Sequence, residues 1–112
     1  MVPLGVRKPG NLQEAARIIR EIARDGGRIN IIKHARDEMS NDQVNALDVR
    51  HALRGCSVIR AEMHGYDWRY TCLGLTRDEE RIGIAVKICQ NSRKGAEKEV
   101  ALYVITVYRN QQ

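Results

Sequence analysis

The chain has 112 residues, of which 43% are hydrophobic and 29% are charged, and its net charge is +5. This length predicts a single domain with an ordinary hydrophobic core, spanning residues 1–112. No apolar run approaches the roughly 18 residues that a membrane span requires, and residues 1–10 lack the apolar core of a secretory signal. The sequence therefore argues against a membrane partner and predicts a cytoplasmic protein.

The three cysteines argue against two common uses of this residue. Cys56, Cys72 and Cys89 are an odd number and lie far apart, without the close Cys or His pairs of a zinc site. We expect all three to be reduced and mostly buried as small hydrophobic residues. The sequence thus predicts no metal and no other cofactor, and it gives a catalytic cysteine little support.

The N-terminal part predicts helices around one short strand. Residues 1–10 are expected to form a leader and residues 11–55 the helical part. The first helix begins at Asn11, which caps it, and Gly26-Gly27 ends it after an apolar stripe at helical spacing. The next expected elements are a strand at 28–32, a helical turn or two at 33–39 and a helix at 46–53.

The helix at 46–53 carries two further expectations. Either Asn45 or Asp48 is expected to supply the acceptor at its N-terminus. The residues expected to contact the core are Leu47, Val49 and Leu53.

Residues 56–110 change to a period of two, which is typical of an antiparallel sheet. The pattern is clearest at 81–88, where Ile and Val alternate with Arg81, Gly83, Ala85 and Lys87. The whole chain therefore predicts an α+β fold, with N-terminal helices on one face of a four- to five-stranded, mainly antiparallel sheet. The expected strands in this half are 56–63, 66–75, 81–88 and 99–108.

The sheet face away from the helices is predicted to be basic. Arg81 and Lys87 point away from the apolar side of their strand, and Arg69 does so in the strand before. Such a face can hold a nucleic-acid backbone, and the net positive charge favours a polyanionic partner. An ordinary solvated face explains these residues equally well.

The last strand adds two candidate residues for RNA contact. Strict alternation through 103–108 would place Val104, Thr106 and Tyr108 on one face. Tyr108 and Arg109 lie at the strand end, where a tyrosine can reach a phosphate or stack on a base. A strand tyrosine that packs with its hydroxyl at the rim is the more common case.

His34 is the histidine with basic neighbours, since Lys33 and Arg36 flank it. An imidazole titrates near neutrality, so it is the natural general acid or base at physiological pH. A helical histidine that only hydrogen-bonds to the backbone is equally consistent with the sequence. Glu38 lies one helical turn further on and can orient the imidazole.

Three motifs occur in a suggestive order: His34-Ala35-x-x-x-Met39, then Asp48-Val49-x-x-Ala52-Leu53-x-Gly55, then Val104-Ile105-Thr106-Val107-Tyr108. They resemble small bacterial domains related to the motility quorum-sensing regulator toxins (MqsR) and, more distantly, the RelE and barnase-like ribonucleases. The resemblance covers roughly residues 29–108. One departure is Glu38, because relatives often carry a basic residue just before the methionine.

The resemblance implies a bacterial endoribonuclease toxin that needs no metal and is neutralised by a cognate antitoxin. In such enzymes the 2′-hydroxyl of the RNA attacks the adjacent phosphorus, and cationic groups stabilise the phosphorane. His34, Thr106 and Tyr108 match the family motifs, whereas the strand cations are placed by alternation. The candidate residues are, for catalysis, His34, Arg69, Lys87 and Tyr108 and, for RNA binding, Lys33, Arg36, Arg81, Thr106 and Arg109.

Two other functions stay open at the level of sequence. A non-catalytic module of the same fold would bind RNA, DNA or a protein without turnover, which agrees with the lack of a complete acid–base set. A regulatory subunit would use its basic face only to dock an acidic protein, and high salt would then weaken the docking.

Overall fold

The computed structural model describes residues 11–65, 67–91 and 99–109, and the predicted leader at 1–10 lies outside the described residues. The described chain is an α+β domain in which three helices lie on one side of a five-stranded sheet. The predicted fold class is therefore confirmed. The elements are α1 (Leu12–Arg24), β1 (Arg28–Ile31), α2 (Lys33–Asp42), α3 (Ala46–Arg54), β2 (Ser57–His64), β3 (Asp67–Leu75), β4 (Arg81–Asn91) and β5 (Glu99–Arg109).

Helices α1 and α3 begin at the predicted caps. Asn11 Oδ1 accepts a hydrogen bond from the Glu14 N–H at 2.6 Å at the start of α1. At the start of α3, both Asn45 and Asp48 act as acceptors. Asn45 Oδ1 accepts a hydrogen bond from the Asp48 N–H at 2.9 Å, and Asp48 Oδ2 accepts one from the Asn45 N–H at 3.3 Å. Helix α2 is longer than predicted and ends at Asp42, and the next residue, Gln43, has a φ of 57°. None of the described helices is long and apolar enough to cross a membrane.

The core lies between the helices and one sheet face. The alternation predicted for β4 is confirmed, because Ile82, Ile84, Val86 and Ile88 are all buried. One prediction for α3 is wrong, since the Leu47 side chain is 62% exposed. The other two core residues of α3 are four positions apart and share one helix face, whereas Leu47 is offset by about 200° from them.

The strand order is β1-β5-β4-β3-β2, so the last strand lies inside the sheet and the first lies at its edge. Strand β1 runs parallel to β5, from the pair Arg28–Ala101 to the pair Ile31–Val104. The other neighbouring strands are antiparallel. The N-terminal part thus supplies one edge of the sheet that the C-terminal part builds.

A bulge interrupts β5. Ala85 pairs with Thr106 and Val86 pairs with Val104, so Ile105 is an extra residue in this strand. The predicted strict alternation through 103–108 is therefore wrong. Val104 and Val107 are both fully buried on the helix side.

Helix α2 continues along the edge of β5 where β1 stops. The Ile32 N–H donates to the Val104 carbonyl at 3.2 Å, which starts the helix at the strand edge. Midway along the helix, Glu38 Oε1 accepts from the Val107 N–H at 3.1 Å. A side chain thus satisfies an amide that a neighbouring strand would otherwise bind.

The far end of α2 is held by Arg109. Its Nε and Nη2 donate to the Asp42 carbonyl at 3.0 and 2.6 Å, and Nη1 forms an ion pair with Glu80. Helix α2 is therefore fixed to β5 at its start, its middle and its end.

We expect Glu38→Ala to lower the free energy of unfolding by about 1–3 kcal/mol, because the part-buried Val107 amide loses its acceptor. Glu38→Gln keeps an acceptor oxygen and should lose less. Urea unfolding of the three proteins measures the difference. Glu21→Ala is the control. Glu21 also lies in a helix and forms an ion pair with the residue four positions before it, Arg17, but its side chain is 55% exposed. Equal losses for Glu38→Ala and Glu21→Ala would contradict the assignment.

A second contact ties the β3–β4 connection to α3. Arg77 Nε donates to Asp48 Oδ1 at 3.2 Å. Burial raises the pKa of Asp48, but hydrogen bonds from Arg77 and from the Asn45 amide outweigh this effect, so the pKa is lowered from its ordinary value of 3.8. The ionised carboxylate is therefore the form that the fold stabilises.

Because the pKa of Asp48 is lowered in the folded protein, the stability of the protein depends on pH. The stabilisation by ionised Asp48 is present above its ordinary pKa of 3.8 and is lost as the pH falls through the lower pKa of the folded protein. Asp48→Asn should thus be less stable than the wild type at neutral pH, and the gap should close in acid. Urea unfolding at a series of pH values measures it, and a gap that persists unchanged in acid would contradict the prediction.

Candidate functional site

The sheet surface away from the helices carries most of the candidate residues, and we call it the open face. Its sidedness follows from burial, because Tyr70, Cys72 and Ile84 on the intervening positions are buried under the helices. The predicted faces of β3 and β4 therefore agree with the structure. The residues that define the open face are Arg69, Thr71 and Leu73 of β3, Arg81, Gly83, Ala85 and Lys87 of β4, and Tyr103, Thr106 and Tyr108 of β5.

A row of short side chains crosses the middle of the open face. Thr71 pairs with Ala85, and Ala85 pairs with Thr106. Along β4, Lys87 lies two residues to one side of this row and Gly83 two residues to the other, which is about 7 Å in each direction. Larger side chains lie on both sides of this row, and we call the row of Thr71, Ala85 and Thr106 the floor of the open face.

Tyr108 lies across Gly83. The two residues are direct partners in the β4–β5 register, and a Cβ on Gly83 would overlap the Tyr108 ring. The ring is therefore laid against the sheet and is still 36% exposed. The bulge makes this possible, because it returns Thr106 and Tyr108 to the open face after the buried Val104.

Lys87 already has contacts within the protein. Its Nζ lies 3.4 Å from Asp67 Oδ2 and 5.6 Å from the centroid of the Tyr103 ring. The side chain is 29% exposed, and these two contacts hold its ammonium group over the sheet. A carboxylate and an aromatic face therefore position the cation at one side of the floor.

Arg69 is the next cation on the same side. Tyr70 pairs with Val86 on neighbouring antiparallel strands, so Arg69, which precedes Tyr70, and Lys87, which follows Val86, are the next opposed positions. The Arg69 Nε is buried and has no hydrogen-bond partner among the described residues. A buried donor without an acceptor is unfavourable unless a ligand or water supplies one.

His34 lies at the rim, on the edge of β5 that α2 covers. Its Nε2 is 3.5 Å from Glu38 Oε1, the same oxygen that accepts from the Val107 N–H. The imidazole is therefore close to the backbone that presents Thr106 and Tyr108 on the open face. The side chain is 67% exposed, so it is accessible to a large substrate. Glu38 is in the position that the sequence suggested for orienting His34.

The other cations of α2 and β5 lie outside the open face. Lys33 Nζ is 3.2 Å from Asp37 Oδ2 on the exposed side of the helix. Arg36 Nε donates to the Ile31 carbonyl at 3.0 Å. Arg109 is on the helix side, where the Asp42 carbonyl holds its guanidinium.

The sequence pattern missed the residues that hold the site together. Asp67 and Tyr103 fix Lys87, and Gly83 gives Tyr108 its place, although none of these was a candidate. The Gly at 83 within a strand was the one available signal, since a strand glycine often marks a close approach. The Asp67–Lys87 contact joins residues 20 positions apart and has no signature in the sequence.

The three cysteines lie mostly inside the fold. Cys56 and Cys72 are buried, and Cys89 is partly buried. The hydrogen bond to Cys56 and burial both raise the pKa of the Cys72 thiol, so it stays protonated. Among the described residues, no three His, Cys, Asp or Glu side chains lie close enough together to hold a metal ion.

Comparison with protein families places most of this structure in one family. The model of DUF4258, described as a domain of unknown function, matches residues 31–109. The match spans more than half of the chain, which therefore belongs to the DUF4258 family. It begins at the end of β1 and includes α2 and all of β5. No curated protein and no solved structure matched the chain.

We expect Gly83→Ala to destabilise the protein by about 1–3 kcal/mol, because the added methyl group displaces the Tyr108 ring. In a Tyr108→Ala background the same substitution should cost much less, and urea unfolding of the double-mutant cycle measures this coupling. Gly55→Ala is the matched control, since a Cβ at Gly55 meets nothing within 4 Å. Additive effects of the two substitutions would contradict the packing of Tyr108 on Gly83.

Proposed function

We propose that this DUF4258 domain is an endoribonuclease that needs no metal, in which the 2′-hydroxyl of the RNA attacks the neighbouring phosphorus. The observation that carries the proposal is the position of His34, which a carboxylate orients at the rim of a cationic sheet face. RNA would lie on the open face, with its backbone over the floor of Thr71, Ala85 and Thr106. The scissile phosphate would then lie between Lys87 and Tyr108.

The imidazole moves the protons in this proposal. His34 Nε2 lies 3.5 Å from Glu38 Oε1, and in this proposal Nε2 carries the proton while the Nδ1 lone pair is available to a substrate. Nδ1 takes the proton from the 2′-hydroxyl as its oxygen bonds to phosphorus. Glu38 stabilises the imidazolium that forms, and its bond to Val107 fixes where the base acts.

The open face stabilises the charge on phosphorus. Lys87 lies on one side of the floor, and Arg69 is the second cation on that side, on the neighbouring strand. On the other side, the Tyr108 phenol is the candidate donor to the departing 5′-oxygen. The P–O5′ bond breaks, and the products are a 2′,3′-cyclic phosphate and a 5′-hydroxyl end.

The toxin role rests on the resemblance to the MqsR and RelE groups and on the charge of the chain. A net charge of +5 suits both a polyanionic substrate and an acidic inhibitor that covers the same face. We therefore propose that the domain is the toxin of a bacterial toxin–antitoxin pair and acts in the cytoplasm. Its antitoxin would present carboxylates to the open face.

A second function is favoured by how many cations are already paired. Lys87 contacts Asp67, Lys33 contacts Asp37, and Arg109 contacts Glu80. Lys33 and Arg109 lie outside the open face, so the Lys87–Asp67 pair decides the chemistry. If this pair persists with RNA bound, Lys87 does not stabilise a phosphorane and the domain holds RNA without cleaving it. The second candidate is thus a non-catalytic RNA-binding module of the same fold.

The purified protein should cleave RNA in EDTA and leave 2′,3′-cyclic phosphate ends. His34→Ala should reduce the rate by about 10²–10⁴-fold, because the step loses its general base. Gel analysis of end-labelled RNA and the chemistry of the ends measure both effects. In a bacterium, expression of the wild type should arrest growth and expression of His34→Ala should not.

His64→Ala is the matched control for this experiment. His64 also lies 3.5 Å from a carboxylate, that of Glu62, but on strand β2 at the opposite edge of the sheet. It should cleave RNA at the wild-type rate. Full activity in His34→Ala would remove that residue from the mechanism, and RNA that is bound but stays intact would favour the binding module.

A further inference from the structure

The outer edge of β2 is a strand edge that none of the functions above uses. Strand β2 is the last strand of the sheet, and among the described residues no strand pairs with its outer side. Six of its eight residues are exposed, whereas α2 covers the part of β5 that β1 leaves without a neighbour. An edge strand presents unpaired backbone N–H and C=O groups, so β2 can accept a further strand.

The side chains of β2 do not block such pairing. A bulge at Ile59 interrupts the register with β3, but the pairs from Arg60 to His64 are regular. Arg60 and Glu62 have opposite charges, and Arg60 Nε lies 2.6 Å from Glu62 Oε1. Ile59 and Met63 are 51% and 50% exposed, and exposed apolar residues on an edge strand favour association.

The order of these residues is self-complementary about Ala61. Two copies of β2 can lie antiparallel with one Ala61 opposite the other. Arg60 then lies opposite Glu62 of the second copy, and Ile59 lies opposite Met63 of the second copy. Directly opposed residues of antiparallel strands lie on the same face, where unlike charges and apolar pairs stabilise the pairing.

The charges distinguish this register from its symmetric neighbours. A pairing centred on Arg60 would oppose two arginines, and a pairing centred on Glu62 would oppose two carboxylates. Like charges that are directly opposed destabilise a strand pair. The sequence of β2 therefore favours a second copy of the same strand, in the register centred on Ala61.

We propose that the domain forms a homodimer through the outer edges of two antiparallel β2 strands. The two five-stranded sheets become one continuous sheet, with a two-fold axis beside Ala61 and perpendicular to the sheet. Arg60 and Glu62 of both copies form a ring of four charges with alternating signs. Because of this axis, the open faces of both copies lie on the same side of the joined sheet.

The dimer is expected to be weak. The contact uses about five residues of each copy, which is fewer than the roughly 20–30 residues a side of a stable interface. Exposed ion pairs also add little affinity, so their main effect is to set the register. We therefore expect a dissociation constant between roughly 10 µM and 100 µM. The dimer does not depend on the ribonuclease function.

Sedimentation velocity of the full chain from about 5 µM to 1 mM tests the proposal, because this range brackets the expected dissociation constant. The average mass should rise with concentration from the 12.8 kDa of one chain towards twice that value. A wild type that stays monomeric over the whole range would overturn the proposal and leave the edge to a strand of another protein.

Charge exchange tests the register. Glu62→Arg and Arg60→Glu should each weaken the dimer by about tenfold or more, because like charges then oppose each other. The double exchange, Arg60→Glu with Glu62→Arg, should restore it, since unlike charges are opposed again. Single variants that dimerise like the wild type, or a double exchange that stays as weak as they are, would overturn the register centred on Ala61.

Glu21→Arg is the matched control for these variants. Glu21 forms an ion pair with Arg17 on α1 in which both side chains are about as exposed as those of Arg60 and Glu62. The substitution changes the net charge as Glu62→Arg does, but away from the edge of β2. It should dimerise like the wild type. An equal loss of dimer in Glu21→Arg and Glu62→Arg would overturn the role of the β2 edge.

Discussion

The hydrogen bond from the Val107 amide to the Glu38 carboxylate connects the two halves of this protein at the point where the sheet loses a neighbour. Strand β1 covers β5 only as far as Val104, and an uncovered strand edge leaves backbone groups without partners. Helix α2 supplies the missing acceptor with one carboxylate, that of Glu38. Since His34 lies one helical turn before Glu38, the carboxylate that accepts from Val107 also lies close to His34. The position of the imidazole is therefore a by-product of how the sheet edge is completed.

Much of the fold was predictable because it follows from local patterns. Period-two alternation gave β3 and β4 their faces, and the caps at Asn11 and Asn45 fixed two helix starts. The bulge at Ile105 was not predictable, because all residues from 104 to 107 suit a strand and only the pairing with β4 shows which one is extra. Leu47 is apolar but exposed, because it lies about 200° around the helix from Val49 and so points away from the core.

The candidate site was likewise predictable only in part. Alternation placed Arg69, Arg81 and Lys87 on one surface, whereas Tyr108 reaches that surface only because of the bulge in β5. Alternation did not show which groups hold these side chains, because the Asp67–Lys87 pair and the packing of Tyr108 on Gly83 depend on strand register. The open face is accordingly less positive than its arginines and lysines suggest. Since such half-exposed ion pairs contribute little stability, a phosphate can displace the carboxylate at small cost.

The inner position of β5 has a consequence for how the protein is made. Among the elements that the structure describes, β5 is synthesised last, and yet β1 pairs with it, α2 is anchored to it and Thr106 and Tyr108 belong to it. A nascent chain that has not yet released β5 from the ribosome therefore has no partner for β1 and no bulge to complete the rim. The open face is therefore complete only after β5 has left the ribosome, so the last residues to be synthesised finish both the sheet and its exposed surface.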